Sequence, residues 1–190
     1  DDLVGTAALG RLCTWRAKTA FTVLYCAVVV FIIGAASLLV NGGAFGFEGA
    51  LSSVAGCVYF ADTALPPMSN LAYCAIQYGF LFLGALYFAG FILIVAALTR
   101  RTALSLFLCG GSYLLFFAYS AVGPQLPELL RVPIDALYRF GFGGYLLQES
   151  YSWVFPYLWS DVWKPVLLEI GMILLEFFIF LQIWRRKAKA

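Results

Sequence analysis

The stretch from Trp163 to Trp184 reads WKPVLLEIGMILLEFFIFLQIW and is followed directly by Arg185, Arg186 and Lys187. The two tryptophans are 21 residues apart, and a helix of that length covers about 31 Å, close to the hydrocarbon thickness of a bilayer. Tryptophan favours membrane interfaces, and basic residues just beyond a span favour the cytoplasmic side. The stretch is therefore predicted to be a transmembrane helix with anchoring residues at both edges.

The predicted helix carries two carboxylates, Glu169 and Glu176, which are seven residues apart. Seven residues are two helical turns, so both side chains project from nearly one face. No other predicted span contains Lys, Arg or Asp, and the chain contains no His. A lone carboxylate near mid-membrane costs about 2.5–3.5 kcal/mol on insertion scales. Glu176 is therefore expected to be protonated, hydrogen-bonded to a neutral group, in contact with water or paired with another protein.

The carboxylate face and Gln77 of the second predicted span form a candidate intramembrane polar site. One interpretation is a site that handles protons or cations, and another is a polar anchor for a partner helix. The simpler alternative is a protonated Glu176 that hydrogen-bonds to Gln77, to a tyrosine or to backbone. Glu169 lies nearer the outer edge, where it can reach the interface or pair with Lys164.

The composition is that of a membrane protein. Of the 190 residues, 63% are hydrophobic and 12% are charged, whereas a soluble domain averages about 25% charged residues. The apolar runs are too long for barrel strands, so we predict an all-α polytopic membrane protein. The net charge of +2 gives no indication of nucleic-acid binding, because most basic residues lie at the ends of spans.

Four transmembrane helices are predicted, and two long segments connect them. The predicted spans are residues 19–40, 71–98, 103–122 and 164–184. Residues 1–18 are expected to form an amphipathic entry segment on the membrane surface or a frayed terminus. The segments 41–70 and 123–163 are expected on the non-cytoplasmic side, with short interfacial or re-entrant helices. Asn41-Gly42-Gly43 is predicted to end the first span by turn chemistry.

The distribution of basic residues predicts the orientation. With both termini on the cytoplasmic side, or the matrix side of an organelle, nine basic residues lie inside: Arg11, Arg16, Lys18, Arg100, Arg101, Arg185, Arg186, Lys187 and Lys189. Three lie outside: Arg131, Arg139 and Lys164. Because basic residues favour the inner side of a membrane, the nine-to-three ratio supports four spans and two inner termini.

No catalytic, cofactor-binding or metal-binding constellation is visible. Without His, the usual Ser/His and Cys/His nucleophile pairs are excluded, and a zinc or haem site of the usual kind is not expected. No Walker sequence occurs, so the chain cannot hydrolyse ATP by that route. Among the five cysteines, Cys57 and Cys74 lie in or next to the first outer segment. They form a disulfide if that side is oxidising, or else remain two free thiols.

The layout resembles the C-terminal four spans of the six-span permease subunits of ATP-binding-cassette exporters. The resemblance rests on Gly5-Thr6, Arg16 and Lys18 before a long span. It also rests on the order that follows: two long spans, a short cytoplasmic turn, a span, an outer segment and a last span with basic residues. The family's first two spans have no counterpart here. The resemblance implies a fragment or reduced relative, with ATP hydrolysis on a separate nucleotide-binding subunit.

Two alternative functions are therefore consistent with the sequence. The first is a permease-like transport subunit that works with partner subunits in the bilayer and has no catalytic chemistry of its own. The second is a non-catalytic accessory subunit of a large membrane complex, such as an energy-transducing assembly of an organelle. The second agrees with a chain that begins with Asp1 rather than Met and is expected to be processed or truncated.

Overall fold

The computed structural model describes residues 8–53, 68–99, 101–122, 125, 127–129 and 163–187, and nearly all of them are helical. The four long helices are α1 (Ala8–Phe45), α2 (Asn70–Thr99), α3 (Thr102–Val122) and α4 (Trp163–Lys187). An isolated antiparallel bridge joins Ser53 and Ser69. The predicted all-helical fold is confirmed over the described residues. The short helices predicted in the two long connecting segments fall mainly in residues 54–67 and 130–162, outside the described residues.

Three helices are long and apolar enough to cross a membrane. These stretches are Cys13–Ala44 in α1, Asn70–Thr99 in α2 and Val166–Arg186 in α4. Helix α3 contains a shorter apolar stretch, Ala103–Tyr119. The structure therefore supports membrane insertion through three candidate spans, and α3 is a fourth, shorter apolar helix.

Helix α1 is longer than the predicted first span at both ends. It has 38 residues, so it measures about 57 Å, nearly twice the thickness of a hydrocarbon core. The sequence prediction separated an entry segment from the span at Thr19, but a single helix runs through both from Ala8 onward. Residues 1–7 lie outside the described residues.

Helix α1 also runs through the predicted stop at Asn41-Gly42-Gly43. The Asn41 side chain donates to the Ser37 carbonyl at 2.8 Å, so it is accommodated within the helix. The helix ends at Phe45, and the next residue, Gly46, has a positive φ of 77° and donates its N–H to the Gly42 carbonyl at 2.9 Å. Glycine takes this left-handed conformation without the Cβ clash of other residues, and it is the usual cap of a helix C-terminus.

The turn after α1 caps the start of α2. The first N–H groups of a helix have no partner within the helix, and here three of them find oxygen acceptors nearby. The bonds are Asn70 N–H to Ser52 O at 3.0 Å, Leu71 N–H to Ala50 O at 2.9 Å, and Ala72 N–H to Ser69 Oγ at 3.3 Å. These bonds fix the start of α2 beside the end of α1, so the two helices form an antiparallel pair.

Helix α2 is the centre of the bundle, because it packs against each of the other three helices, most extensively α4. Its packing on α1 places Tyr78 against Gly34 and Ala85 against Cys26. Moving along α2 from Tyr78 to Ala85 corresponds to moving back along α1 from Gly34 to Cys26. The two helices are therefore antiparallel. Helix α3 begins three residues after the end of α2 and folds back on it, with the rings of Phe88 and Tyr113 6.0 Å apart.

Candidate functional site

The face of α4 that packs into the bundle contains both carboxylates. Glu169, Ile173, Glu176 and Phe180 are 1%, 7%, 9% and 2% exposed, and their spacing of four, three and four residues follows one side of a helix. The opposite face is open, since Leu174 is 65% exposed. The predicted common face of the two carboxylates is therefore present, and it points into the protein's own bundle.

Glu176 lies directly against Gly90 of α2. A Cβ atom built at position 90 would overlap the Glu176 carboxylate oxygen Oε2, and would lie 3.2 Å from its Cβ and 3.3 Å from its Cδ. Only a residue without a side chain leaves room for the carboxylate at this helix spacing. Sequence reasoning missed Gly90. The one indication in the sequence was a glycine inside a predicted helix, where Gly is about 1 kcal/mol less favourable than Ala.

Two pairs of neighbours show that α2 and α4 run in the same direction. Gly90 contacts Glu176, and Leu86 belongs to the same buried cluster as Ile173. Moving four residues back along α2 thus corresponds to moving three residues back along α4. The two helices are therefore parallel, offset by about 86 residues in sequence.

Tyr87 lies between the levels of the two carboxylates. It packs against the buried cluster of Cys26, Leu86 and Ile173, and it is close enough to interact electrostatically with both Glu176 and Glu169. The helix offset places Glu169 level with position 83 of α2 and Glu176 level with position 90, so position 87 falls between them. We call the group Glu169, Tyr87, Glu176 and Gly90 the carboxylate site.

Gln77 does not lie beside Glu176. It is 13 residues before Gly90 on α2, so it is about 20 Å away along the helix axis. The helix offset puts Gln77 level with Trp163, at the start of α4. The polar group that the structure brings to the carboxylates is Tyr87, one of the tyrosines that the sequence left as alternatives.

The parts of the neighbouring helices that surround Glu176 provide no basic side chain. Residues 19–45 of α1 and the whole of α2 and α3 contain no Lys, Arg or His. Within the described part of the chain, Glu176 Oε2 accepts no hydrogen bond. A buried polar atom without a partner is costly, and an ionisable residue inside a membrane is by default a candidate for function.

The predicted membrane anchors lie at the two ends of α4: Trp163 at its start, and Trp184, Arg185, Arg186 and Lys187 at its end. Arg185 and Arg186 are exposed, as expected for residues at a membrane surface. Trp184 is half-buried and packs on Phe180, with ring centroids 6.0 Å apart. Helix α4 begins at Trp163 and ends at Lys187, three residues beyond the predicted end of the span at residue 184; the structure does not describe the side chains of those two terminal residues.

The predicted disulfide between Cys57 and Cys74 stays a prediction, because Cys57 lies outside the described residues. Cys74 is half-buried in the first turns of α2. Among the residues that the structure describes, no group of three or more His, Cys, Asp and Glu side chains is arranged to hold a metal ion.

Comparison with known proteins returns no relative: no family model, curated protein or solved structure matches the chain. The function must therefore be argued from the residues and their geometry.

Proposed function

We propose that the chain is a permease-like membrane transport subunit that works with partner subunits, and that the carboxylate site handles protons or small cations within it. The observation that carries the proposal is the position of Glu176. It is 9% exposed, lies in a helix long enough to cross a membrane, and packs against Gly90 of the same chain.

The direction of the carboxylates favours this function over a polar anchor for a partner helix. An anchor would have to project toward the partner, on the outer face of α4 where Leu167 and Leu174 are each 65% exposed. Glu169 and Glu176 instead point toward α2. A cation from another subunit would reach them only by separating α4 from α2.

The spacing of the groups in the carboxylate site suits stepwise proton transfer. Two helical turns separate Glu169 from Glu176, which is about 10.5 Å along the axis. Tyr87 lies between them, and a phenol can both donate and accept a hydrogen bond. The three groups thus cover about a third of a hydrocarbon core of roughly 30 Å, and each can hold a proton.

The parallel direction of α2 and α4 supports a fourth span. If both cross the membrane, the chain between them must return to the side on which α2 begins. Helix α3 runs antiparallel to α2 and has 21 residues, which is about 32 Å and long enough for that crossing. Both ends of the described chain then lie on one side of the membrane. The excess of basic residues makes it the cytoplasmic or matrix side.

The test begins with purification of the chain from its native membrane in a mild detergent, followed by mass spectrometry of every companion. A transport subunit of this kind is expected to bring a nucleotide-binding subunit with it. The complex is then reconstituted into liposomes that contain a pH-sensitive dye, and ATP-dependent proton movement is measured. Glu176→Gln is expected to abolish the signal because it removes the titratable group while preserving the shape of the side chain.

Glu48→Gln is the matched control, because Glu48 is an exposed carboxylate in the turn after α1. Its signal is expected to equal that of the unmodified protein. If proton movement survives in Glu176→Gln and Glu169→Gln, the carboxylate site has no part in transport. If no ATP-hydrolysing companion accompanies the chain and ATP changes nothing, the permease-like role is contradicted.

A second candidate function is an accessory subunit of a larger membrane complex. Helix α3 favours it, because its main described contacts are with α2, and Cβ atoms added at Gly110 and Gly111 would meet nothing within 4 Å. Small residues on an open helix face allow another helix to approach closely. Co-purification with many subunits, none of them an ATPase, would favour this candidate over the transport role.

A further inference from the structure

We propose that the end of the bundle formed by Trp15, Lys18, Thr19 and Trp184 binds the phosphate of an anionic phospholipid. We call these four residues the basic end. The proposal concerns a part of the chain remote from the carboxylate site, and it does not depend on the transport role.

The four residues lie on two helices that meet at this end of the bundle. Trp15, Lys18 and Thr19 are at positions i, i+3 and i+4 of α1, so they share one face. Helix α4 brings Trp184 to this face, and the Lys18 ammonium lies 4.4 Å from the centroid of the Trp184 ring. This cation–π contact fixes the position of the charge, and the ammonium keeps N–H groups to donate to a ligand.

Three of these four residues carry a buried polar atom without a hydrogen-bond partner among the described residues. They are Trp15 Nε1, Thr19 Oγ1 and Trp184 Nε1. The two indole nitrogens can only donate, and the hydroxyl can donate as well. A buried donor without an acceptor is unfavourable, so a side-chain shift that opens these donors to a ligand with several acceptor oxygens would be favoured. With Lys18 beside these donors, the ligand should also be negatively charged.

Among the described residues, this end of the bundle offers no acidic group. Residues 3–47 and 177–190 contain neither Asp nor Glu. Arg16, Arg185 and Arg186 are exposed there and add to the positive potential. A phosphate group would supply the negative charge and the acceptor oxygens that these donors and cations need.

The surroundings indicate a lipid rather than a free phosphate ion. Phe21 and Leu24, within two turns of Lys18 on α1, are 68% and 63% exposed, and they begin a long apolar helix surface. A phospholipid bound by its phosphate at Lys18 could lay its acyl chains along this surface. The acyl chains would then bury apolar area that a free phosphate ion leaves uncovered.

The test measures lipid binding to the purified full chain in a neutral detergent by native mass spectrometry, with phosphatidylglycerol and phosphatidylcholine as probes. The buffer holds about 0.3 M salt to screen remote charges. We expect phosphatidylglycerol to bind about tenfold more tightly than phosphatidylcholine, the size of effect that one charge-assisted hydrogen bond can produce. Equal affinity for the two lipids would overturn the proposal.

Variants separate a built site from diffuse attraction. Lys18→Gln is expected to weaken phosphatidylglycerol binding about tenfold. Arg101→Gln removes an exposed charge from the turn between α2 and α3 and is expected to weaken it less than about twofold under the same screening. Equal losses in the two variants would mean that only diffuse charge attracts the lipid, and the proposed site would be abandoned.

Trp184→Phe and Thr19→Val keep the packing and the charge of Lys18 but remove one donor each. Each is expected to weaken binding about threefold to tenfold, and unchanged binding in both would contradict the role of the buried donors. Glycerol 3-phosphate serves as a soluble competitor. If it displaces the lipid at millimolar concentration, the site recognises free phosphate and the assignment to a lipid is wrong.

Discussion

Replacing Gly90 by Ala tests the contact on which the carboxylate site depends. The added methyl group would overlap Oε2 of Glu176 and approach its Cβ and Cδ to 3.2 and 3.3 Å. The carboxylate oxygen could turn away, but the Cβ moves only with the backbone of α4. The two helices must therefore separate by a few tenths of an ångström, and the Glu176 carboxylate must also turn away.

The expected cost follows from two opposing effects. Overpacking a well-packed contact typically destabilises by about 1–3 kcal/mol. Ala is a better helix former than Gly by about 0.5–1 kcal/mol, which offsets part of this loss. We therefore expect Gly90→Ala to lower the free energy of unfolding by about 1–2 kcal/mol. Unfolding is measured by far-ultraviolet circular dichroism as sodium dodecyl sulfate is titrated into dodecyl maltoside micelles.

Gly79→Ala is the matched control on the same helix. A Cβ at position 79 would meet nothing within 4 Å, so only the helix-forming effect remains, and the variant is expected to be as stable as the unmodified chain or slightly more stable.

Changes at Glu176 identify the colliding group. Glu176→Ala removes Oε2 and Cδ, so Gly90→Ala should cost at least about 0.5 kcal/mol less in that background, as expected for residues in contact. Glu176→Gln has nearly the same shape and should give no such relief. If Gly90→Ala proves harmless, or if Gln relieves it as well as Ala does, the close packing of Gly90 on Glu176 is wrong.

Three further predictions follow from the described geometry. With the native cysteines replaced, the double variant Leu86→Cys/Ile173→Cys should cross-link on oxidation. The double variant Leu86→Cys/Phe180→Cys should not, because α2 and α4 are parallel and Phe180 is about 10 Å further along α4 than Ile173. Electrophoresis without reductant distinguishes the two double variants. Gly46→Ala should destabilise the chain by about 1–2 kcal/mol because of the positive φ at the end of α1, while Gly46→Asn should lose less in the same unfolding titration. An apolar carbodiimide should modify Glu176, located by peptide mass spectrometry, because such reagents attack protonated carboxyl groups in apolar surroundings; labelling of only the water-exposed carboxylates would contradict its burial.

The start of α4 was predictable from sequence, whereas the bounds of α1 were not. Trp163 and the basic cluster mark the ends of α4, and the helix begins and ends at these residues. At the end of α1, Asn41-Gly42-Gly43 looked like a turn, yet Asn41 hydrogen-bonds within the helix. The helix continues to Phe45, and the left-handed conformation of Gly46 stops it. Local turn signals compete with the tendency of a long apolar helix to continue, and the sequence alone did not decide which prevails.

The candidate site was predictable only in part, for a similar reason. Helical periodicity alone placed Glu169 and Glu176 on one face. It could not show whether that face meets lipid, a partner or α2, because such a choice depends on contacts between distant parts of the chain. Gly90, Tyr87 and the distance of Gln77 from Glu176 all depend on the offset between α2 and α4, and no local pattern encodes that offset.

The arrangement of α2 and α4 is not the one that stability alone would select. Position 90 holds the poorest helix former after proline, although Ala would favour the helix by about 1 kcal/mol. Position 176 holds a carboxylate that costs about 2.5–3.5 kcal/mol more to insert than an apolar side chain. An Ala–Leu pair at these positions would avoid both costs, and the chain instead combines the two unfavourable residues in one contact. Departures of this kind from local rules are expected at functional sites, and this is the physical reason for proposing a functional role for Glu176 rather than for the more numerous charges at the helix ends.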